Sequence, residues 1–140
     1  MTKTREKIHF KKSAILQRTI NDIKPCLEHY GKKIPFAFVF GSLAEGLQTP
    51  LSDIDIAIFF RGLPESQKIK IEHQVSMLFN EQVNILRLDD EYISPLIKLA
   101  ALKGAPILIT DIDFLNGFTL FILHDAEKIK KVLDRLRKAA

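Results

Sequence analysis

Two aspartates and a Gly-Ser pair in the segment 41–55 (GSLAEGLQTPLSDID) are the residues of this chain best suited to chemistry. Asp53 and Asp55 are separated by one residue, and because side chains alternate along a strand, both carboxylates project from the same face. Two adjacent like charges are costly unless a cation neutralises them. Hard oxygen ligands of this kind suit Mg²⁺ that is already bound to substrate phosphates.

The Gly41-Ser42 pair directly follows an apolar run, at a point where a strand would turn into a short helix. Backbone N–H groups at such a turn can hold a phosphate. Gly41 permits close approach of the backbone, and the Ser42 hydroxyl can donate to a phosphate oxygen. Either pair alone is also explained by an ordinary turn or a solvated strand end, but together they indicate a metal-nucleotide site.

The elements that must position these residues alternate between helix and strand. A helix capped by Ser13 is expected to end near Gly31, another spans 65–79, and a third begins at Ser94-Pro95 and ends at Gly104. A long amphipathic helix closes the chain at about 118–139. The expected strands are 35–40, 53–60, 82–88 and 106–110. This alternation predicts an α/β (α+β) fold, a short mixed sheet covered by helices.

Length and composition fit one domain spanning residues 1–140, with 46% hydrophobic residues. We expect a cytoplasmic protein, because no leader or membrane-length apolar run is recognisable and Cys26 is the only cysteine. The charge is uneven: residues 1–33 carry nine basic and three acidic side chains, 34–124 six and eleven, and 125–140 six and three. The basic ends are typical of solvated helix faces and do not favour nucleic-acid binding.

Other residues are weaker candidates for chemistry. The histidines do not have the spacing of a zinc site; they are His9, His29, His73 and His124. Phe118, Phe121 and Ile122 have the spacing of a helix core face, although their excess can also form a face for a homo-oligomer. Asp89 and Asp90 follow the third strand and are expected to cap the next helix or, less simply, to reach the site from their loop.

The pattern Gly41, Ser42, ten intervening residues, Asp53, any residue, Asp55 resembles that of the minimal nucleotidyltransferase family (MNT, MntA-like antitoxins) of the DNA polymerase β-like superfamily. The resemblance covers roughly residues 13–110 and implies a nucleotidyltransferase fold. It implies that Gly41 and Ser42 bind the phosphates of a nucleotide, and that Asp53 and Asp55 are catalytic residues that bind Mg²⁺, in a two-metal arrangement.

The same resemblance implies an activity and a partner. Members transfer AMP from ATP to an acceptor hydroxyl, and in the antitoxins the acceptor is a tyrosine of a HEPN-type toxin. Carried over, this predicts a type VII toxin-antitoxin antitoxin with ATP as substrate and a HEPN-domain protein as partner, and with no role at a membrane. Transfer to a small molecule such as an aminoglycoside is less suited to a chain without room for a second domain.

The sequence departs from the family pattern on the third of the four strands. Active relatives place a third carboxylate there, and the matching stretch Val83-Asn84-Ile85 has an amide. An amide carries no charge and cannot act as a general base, which would cost about 10² to 10⁴ in rate if a base is needed. Asn84 therefore leaves two functions open: a working transferase, or a catalytically degenerate antitoxin that neutralises its partner by binding alone.

Overall fold

The computed structural model describes residues 2–46 and 53–139, and it describes side chains from residue 14 onward. Ser52 of the SDID sequence and the loop around Pro50 lie outside the described residues. Within the described ranges, no helix combines the length and the apolar character that crossing a membrane requires.

The order of elements follows the predicted alternation. The helices are α1 (Thr2–Glu28), α2 (Gly41–Ala44), α3 (Glu65–Ser76), α4 (Pro95–Leu102) and α5 (Ile112–Ala139). The strands are β1 (Phe36–Phe40), β2 (Ile54–Ile58), β3 (Val83–Arg87) and β4 (Ala105–Ile109). All four predicted strands are therefore present, each within a few residues of the predicted bounds.

Two helices are longer than the sequence predicts. Ser13 is an interior residue of α1 and not its cap, since the helix already begins at Thr2. The C-terminal helix begins at Ile112 and not near Phe118, because Asp111 supplies the cap: its Oδ1 accepts from the backbone N–H of Phe114 at 3.1 Å.

The sheet has the order β3-β2-β1-β4. β1 is antiparallel to both β2 and β4, whereas β2 and β3 are parallel, so the sheet is mixed as predicted. β1 lies in the middle and is apolar throughout, in keeping with a strand that is covered on both faces.

Two apolar clusters hold helices against the two faces of the sheet. One cluster joins α1 and α3 to one set of alternating strand residues, including Val39 and Ile56. The other joins α4 and α5 to the opposite set, including Phe38 and Ala57. Asp55 alternates with Ile54 and Ile56, so it lies on the α4 and α5 face at the start of β2.

Candidate functional site

Three adjacent strands place one residue each in a row across the sheet. Phe40, the last residue of β1, is paired with Asp55 of β2. Asp55 is in turn paired with Asn84 of β3 in the parallel register. The end of the strand before Gly41, the second aspartate of the Asp-x-Asp pair and the substituted third position are therefore neighbours in space.

The Asn84 amide joins the two aspartates. Its Nδ2 donates to Oδ2 of Asp53 at 3.1 Å and to Oδ1 of Asp55 at 3.2 Å. Gln82 Nε2 donates to Oδ1 of Asn84 at 3.3 Å, which fixes the orientation of the amide. Because one nitrogen reaches both carboxylates, the two acidic side chains converge on a single point. Asp53 and Asn84 are exposed and Asp55 is half-buried, so this point is open to solvent.

Gly41 lies next to this cluster of Asp53, Asp55 and Asn84 side chains, directly after β1. Its φ of +71° lies in the left-handed region that side chains disfavour. A Cβ at Gly41 would also collide with the Asp55 carboxylate. Glycine is thus needed here both for the turn and for the close approach of the backbone to Asp55.

Ser42 follows in the single turn of α2, where it is half-exposed. Buried Leu43 anchors this turn to the core, and the backbone N–H of Glu45 donates to the Gly41 carbonyl at 3.1 Å. The four residues singled out from the sequence, Gly41, Ser42, Asp53 and Asp55, therefore lie around one end of the sheet.

The donor set fits a divalent cation in part. Asp53 and Asp55 offer carboxylate oxygens on one side of an open site, which suits Mg²⁺ that takes its remaining ligands from water and phosphate. Among the side chains that the structure describes, in residues 14–46 and 53–139, no group of three or more His, Cys, Asp or Glu residues could hold a metal ion. Two carboxylates are thus the acidic ligands that the described chain can supply, and a two-metal arrangement stays a prediction.

A cavity of about 220 Å³ adjoins the Gly41 turn, and sequence reasoning missed it. Its lining includes Gly41 and Glu45 from the turn and Lys103 and Gly104 from the end of α4. Gly104 brings the end of α4 against β1, since a Cβ there would collide with the Val39 carbonyl oxygen. In the sequence, Gly104 is recognisable only as a residue that ends a helix. Nothing in the local pattern indicates that Lys103 lies beside the site.

Asp89 and Lys68 are at the opposite end of β3 from Asn84. Asp89 accepts from the backbone N–H of Phe60 at 3.1 Å and from Lys68 Nζ at 2.8 Å. Asp89 is therefore neither a substitute ligand nor a helix cap. The cap of α4 is Ser94, whose hydroxyl accepts from the N–H of Leu96.

Arg87 also lies away from the site. It is ion-paired with Glu65 and Glu72, and the hydrogen bond to Glu72 is the main reason that its pKa is raised above the ordinary arginine value. The ion pairs connect β3 to α3, so Arg87 has a structural role at the sheet edge.

Solved structures with the same fold come from toxin-antitoxin complexes. One, described as a toxin-antitoxin with AMP-PNP, has a TM-score of 0.69 and 18% identity over 86% of this chain and 96% of that chain. The structure of the MntA-HepT toxin-antitoxin has a TM-score of 0.64 and 15% identity over 88% of this chain and 97% of that chain. The structure of a tri-AMPylated Shewanella oneidensis HEPN toxin in complex with MNT antitoxin has a TM-score of 0.65 and 15% identity over 89% of this chain and 97% of that chain. At these identities the likeness concerns the fold.

A comparison with functionally curated proteins gives no significant match. A protein-family model described as polymerase beta, nucleotidyltransferase matches residues 21–113, which contain β1 to β4 and all four residues of the predicted motif. The match spans well over half of the chain. The chain belongs to the polymerase β nucleotidyltransferase family.

Proposed function

We propose that the protein is a Mg²⁺-dependent nucleotidyltransferase that transfers AMP from ATP to a tyrosine hydroxyl of a HEPN-type toxin, as a type VII antitoxin of the cytoplasm. The observation that carries the proposal is the convergence of Asp53 and Asp55 on one point beside the Gly41 turn. Nucleotidyl transfer requires carboxylates for a cation and a backbone turn for phosphate at a single site.

The reaction breaks one bond and forms another at the α-phosphorus of ATP. The acceptor oxygen attacks this atom, the bond to the oxygen bridging the α- and β-phosphorus breaks, and pyrophosphate leaves. Mg²⁺, when bound, would neutralise phosphate charge and orient the attacking and leaving oxygens. Asp53 and Asp55 would hold the cation, while Gly41 and Ser42 would position the phosphates.

Lys103 is a further candidate for phosphate binding. It lines the cavity beside Gly41, as Glu45 does. An ammonium group there would offset the negative charge of Glu45 and attract the triphosphate. Gly104 supports this role because it allows the end of α4 to lie against β1.

The acceptor's proton has no carboxylate at the third position to receive it. The Asn84 amide cannot act as a general base, so the proton would pass to water or to a phosphate oxygen. The transferase would then work slowly, which is compatible with modifying a stoichiometric partner instead of turning over a metabolite.

Support for the partner comes from proteins of similar fold. One is described as bound to AMP-PNP, and another is an MNT antitoxin in complex with a tri-AMPylated HEPN toxin. We extend that pairing to this chain because its fold, family and motif agree with it. The proposal makes the HEPN-type protein both the acceptor of AMP and a binding partner.

One observation favours a second function, neutralisation by binding alone. Asn84 donates a hydrogen bond to both aspartates and so compensates part of their charge without a cation. A protein that has lost catalysis would benefit from this arrangement, because it removes the repulsion that a third carboxylate would add. The fold and the partner surface would be preserved in such a protein.

The decisive experiment is intact mass spectrometry of the HEPN-type partner after incubation with this protein, ATP and Mg²⁺. The test variant is Asp53→Asn with Asp55→Asn. The matched control is Asp22→Asn with Glu28→Gln, which removes two exposed carboxylates from α1. A mass increase of one or more AMP that persists in the control and disappears in the test variant supports the transferase.

An absent mass increase with a stable complex would support neutralisation by binding. Equal modification by the wild type and by the Asp53→Asn, Asp55→Asn variant would contradict the assigned site. Titration of ATP binding with and without Mg²⁺ separates these results from a folding defect, as does the thermal unfolding of both variants.

A further inference from the structure

The apolar seam of α5 continues beyond the part of the helix that the domain covers. Ile122, Ala126, Ile129, Leu133 and Leu136 are separated alternately by four and three residues. This is the spacing with which a helix packs along another helix. Ile122 and Ala126 are 2% and 1% exposed, whereas Leu133 and Leu136 are 46% and 62% exposed.

The uncovered part of the seam forms the α5 stripe, which consists of Ile129, Val132, Leu133 and Leu136. All residues from 130 to 139 are exposed, so the last turns of the helix extend away from the sheet and its covering helices. Val132 is 52% exposed and widens the stripe on one side. An apolar surface of this kind on a charged helix indicates an interaction site.

Positive charge lies on both sides of the stripe. With 3.6 residues per turn, one side carries Lys128 and Arg135, and the other carries Lys130 and Arg137. The acidic residues Glu127 and Asp134 lie on the opposite face of the helix from the stripe. The stripe is therefore apolar along its centre and basic along both edges.

We propose that the α5 stripe binds an α-helix of a partner protein whose own apolar face is bordered by aspartate and glutamate residues. The alternating spacing selects a helix, because knobs from the stripe need holes between the side chains of a second helix. The four basic side chains select acidic edges, since opposite charges beside a helical seam determine the choice of partner.

Charge argues against a second copy of this chain as the occupant. Two stripes packed against each other, parallel or antiparallel, would bring a basic edge of one copy against a basic edge of the other, and such like-charge contacts are unfavourable. The other end of the chain is also basic, with nine basic and three acidic residues in the segment 1–33. A partner with acidic edges therefore suits the stripe better.

The continuity of the seam also favours a helix over a lipid surface. The uncovered residues repeat the spacing with which Ile122 and Ala126 are buried in the domain. A helix that lies on a membrane more often presents a wide apolar face with bulky aromatic residues. The stripe has no aromatic residue, and only Val132 widens it beyond one seam.

The inference does not depend on nucleotidyl transfer and can be tested without ATP. The probes are two labelled helical peptides of about four heptads with leucine at the a and d positions. One peptide has glutamate at the e and g positions, and the other has lysine there. Fluorescence anisotropy with the full chain should show binding of the glutamate peptide, weakening with salt, and at least roughly tenfold weaker binding of the lysine peptide.

Three variants locate the binding. Leu133→Gln with Leu136→Gln should weaken binding of the glutamate peptide by roughly tenfold or more. The matched control Leu120→Gln changes a leucine of α5 that is 68% exposed on another face, and it should bind as the wild type does. Lys130→Glu with Arg137→Glu reverses the charge of one edge, so it should weaken binding of the glutamate peptide and strengthen binding of the lysine peptide. Circular dichroism checks that α5 stays helical in each variant.

Equal binding of the two peptides, or binding that the Leu133→Gln, Leu136→Gln variant retains, would overturn the inference. If the wild type sediments as a dimer and this variant as a monomer, the stripe would be assigned to a second copy of the chain instead. Binding to phosphatidylserine vesicles without binding to either peptide would assign it to a membrane. None of these results depends on whether AMP transfer occurs.

Discussion

Asn84 Nδ2 donates to Asp55 Oδ1 at 3.2 Å across the parallel pair of β2 and β3, where the two residues are directly opposite each other. The same nitrogen donates to Asp53, so a neutral amide performs part of the charge compensation that a cation would provide. The aspartate pair is therefore stabilised in the metal-free protein, and the chemistry of the site depends strongly on residue 84.

Asn84→Asp should lower the stability of the metal-free protein and raise the activity of the Mg²⁺-bound protein. A third carboxylate replaces two donated hydrogen bonds with repulsion, so the melting temperature should fall in EDTA and rise on addition of Mg²⁺ by more than in the wild type. If AMP transfer occurs, its rate should increase by about 10² or more. Thermal unfolding and the initial rate of AMP incorporation are the measurements.

Asn84→Ala separates the effect of charge from that of a lost amide. It should also lower the melting temperature in EDTA, but it should not gain activity. A rise in stability of the Asn84→Asp variant in EDTA would contradict the role assigned to the Asn84 hydrogen bonds.

Gly41→Ala should weaken ATP binding and destabilise the fold by more than the conformational strain alone. A left-handed φ costs a non-glycine residue roughly 1–2 kcal/mol, and at Gly41 the added Cβ also displaces the Asp55 carboxylate. Gly62→Ala is the matched control, since its φ is +69° and nothing lies within 4 Å of the added Cβ. Urea unfolding and ATP titration of both variants should show the larger loss for Gly41→Ala, and equal losses would refute the close approach to Asp55.

Asp111 should make the start of α5 sensitive to acid. Its hydrogen bond from the Phe114 N–H, followed by that from Arg61, lowers the pKa of Asp111 below the ordinary value of 3.8. A depressed pKa stabilises the fold above that value, and the stabilisation is lost as the pH falls through the lower folded pKa. Asp111→Asn keeps a capping side chain without the charge, so its unfolding free energy should fall less than that of the wild type below about pH 4.

Lys98→Met should stabilise the protein at neutral pH. Lys98 is 6% exposed, and burial lowers its pKa from 10.5, although Asp90, Asp89 and Glu91 oppose this shift. The folded state therefore binds fewer protons than the unfolded chain as the pH approaches 10.5, and this contribution to stability rises with pH. Urea unfolding at pH 7 and pH 10 should show that Lys98→Met removes this rise in the free energy of unfolding. The exposed control Lys24→Met should retain it.

The site's acidic residues were predictable from the sequence because they are close together in it. Spacing on one strand places Asp53 and Asp55 on one face, and the abrupt end of an apolar run at Gly41 marks the turn. The position of Asn84 could be inferred only from resemblance to a family, since its contact with Asp55 spans 29 residues. The roles of these residues in binding and catalysis remain predictions.

The surroundings of the site could not be predicted in the same way. Lys103 reaches the cavity because Gly104 lets α4 end against β1, and no periodic pattern encodes such a contact between distant segments. The start of α5 was missed because the capping interaction at Asp111 is formed by one short turn. Lys68 lies at the other end of β3, where it is ion-paired with Asp89, and no local pattern indicates this contact between distant segments.

β3 is an edge strand of the described sheet, and it contributes Asn84 from an exposed position. The core therefore places little restriction on which residue occupies position 84, unlike position 41, where only glycine fits. A single nucleotide change can convert an asparagine codon to an aspartate codon without repacking the domain. Loss and recovery of a third carboxylate are accordingly accessible to such a lineage in one step, and the fold can persist through either change.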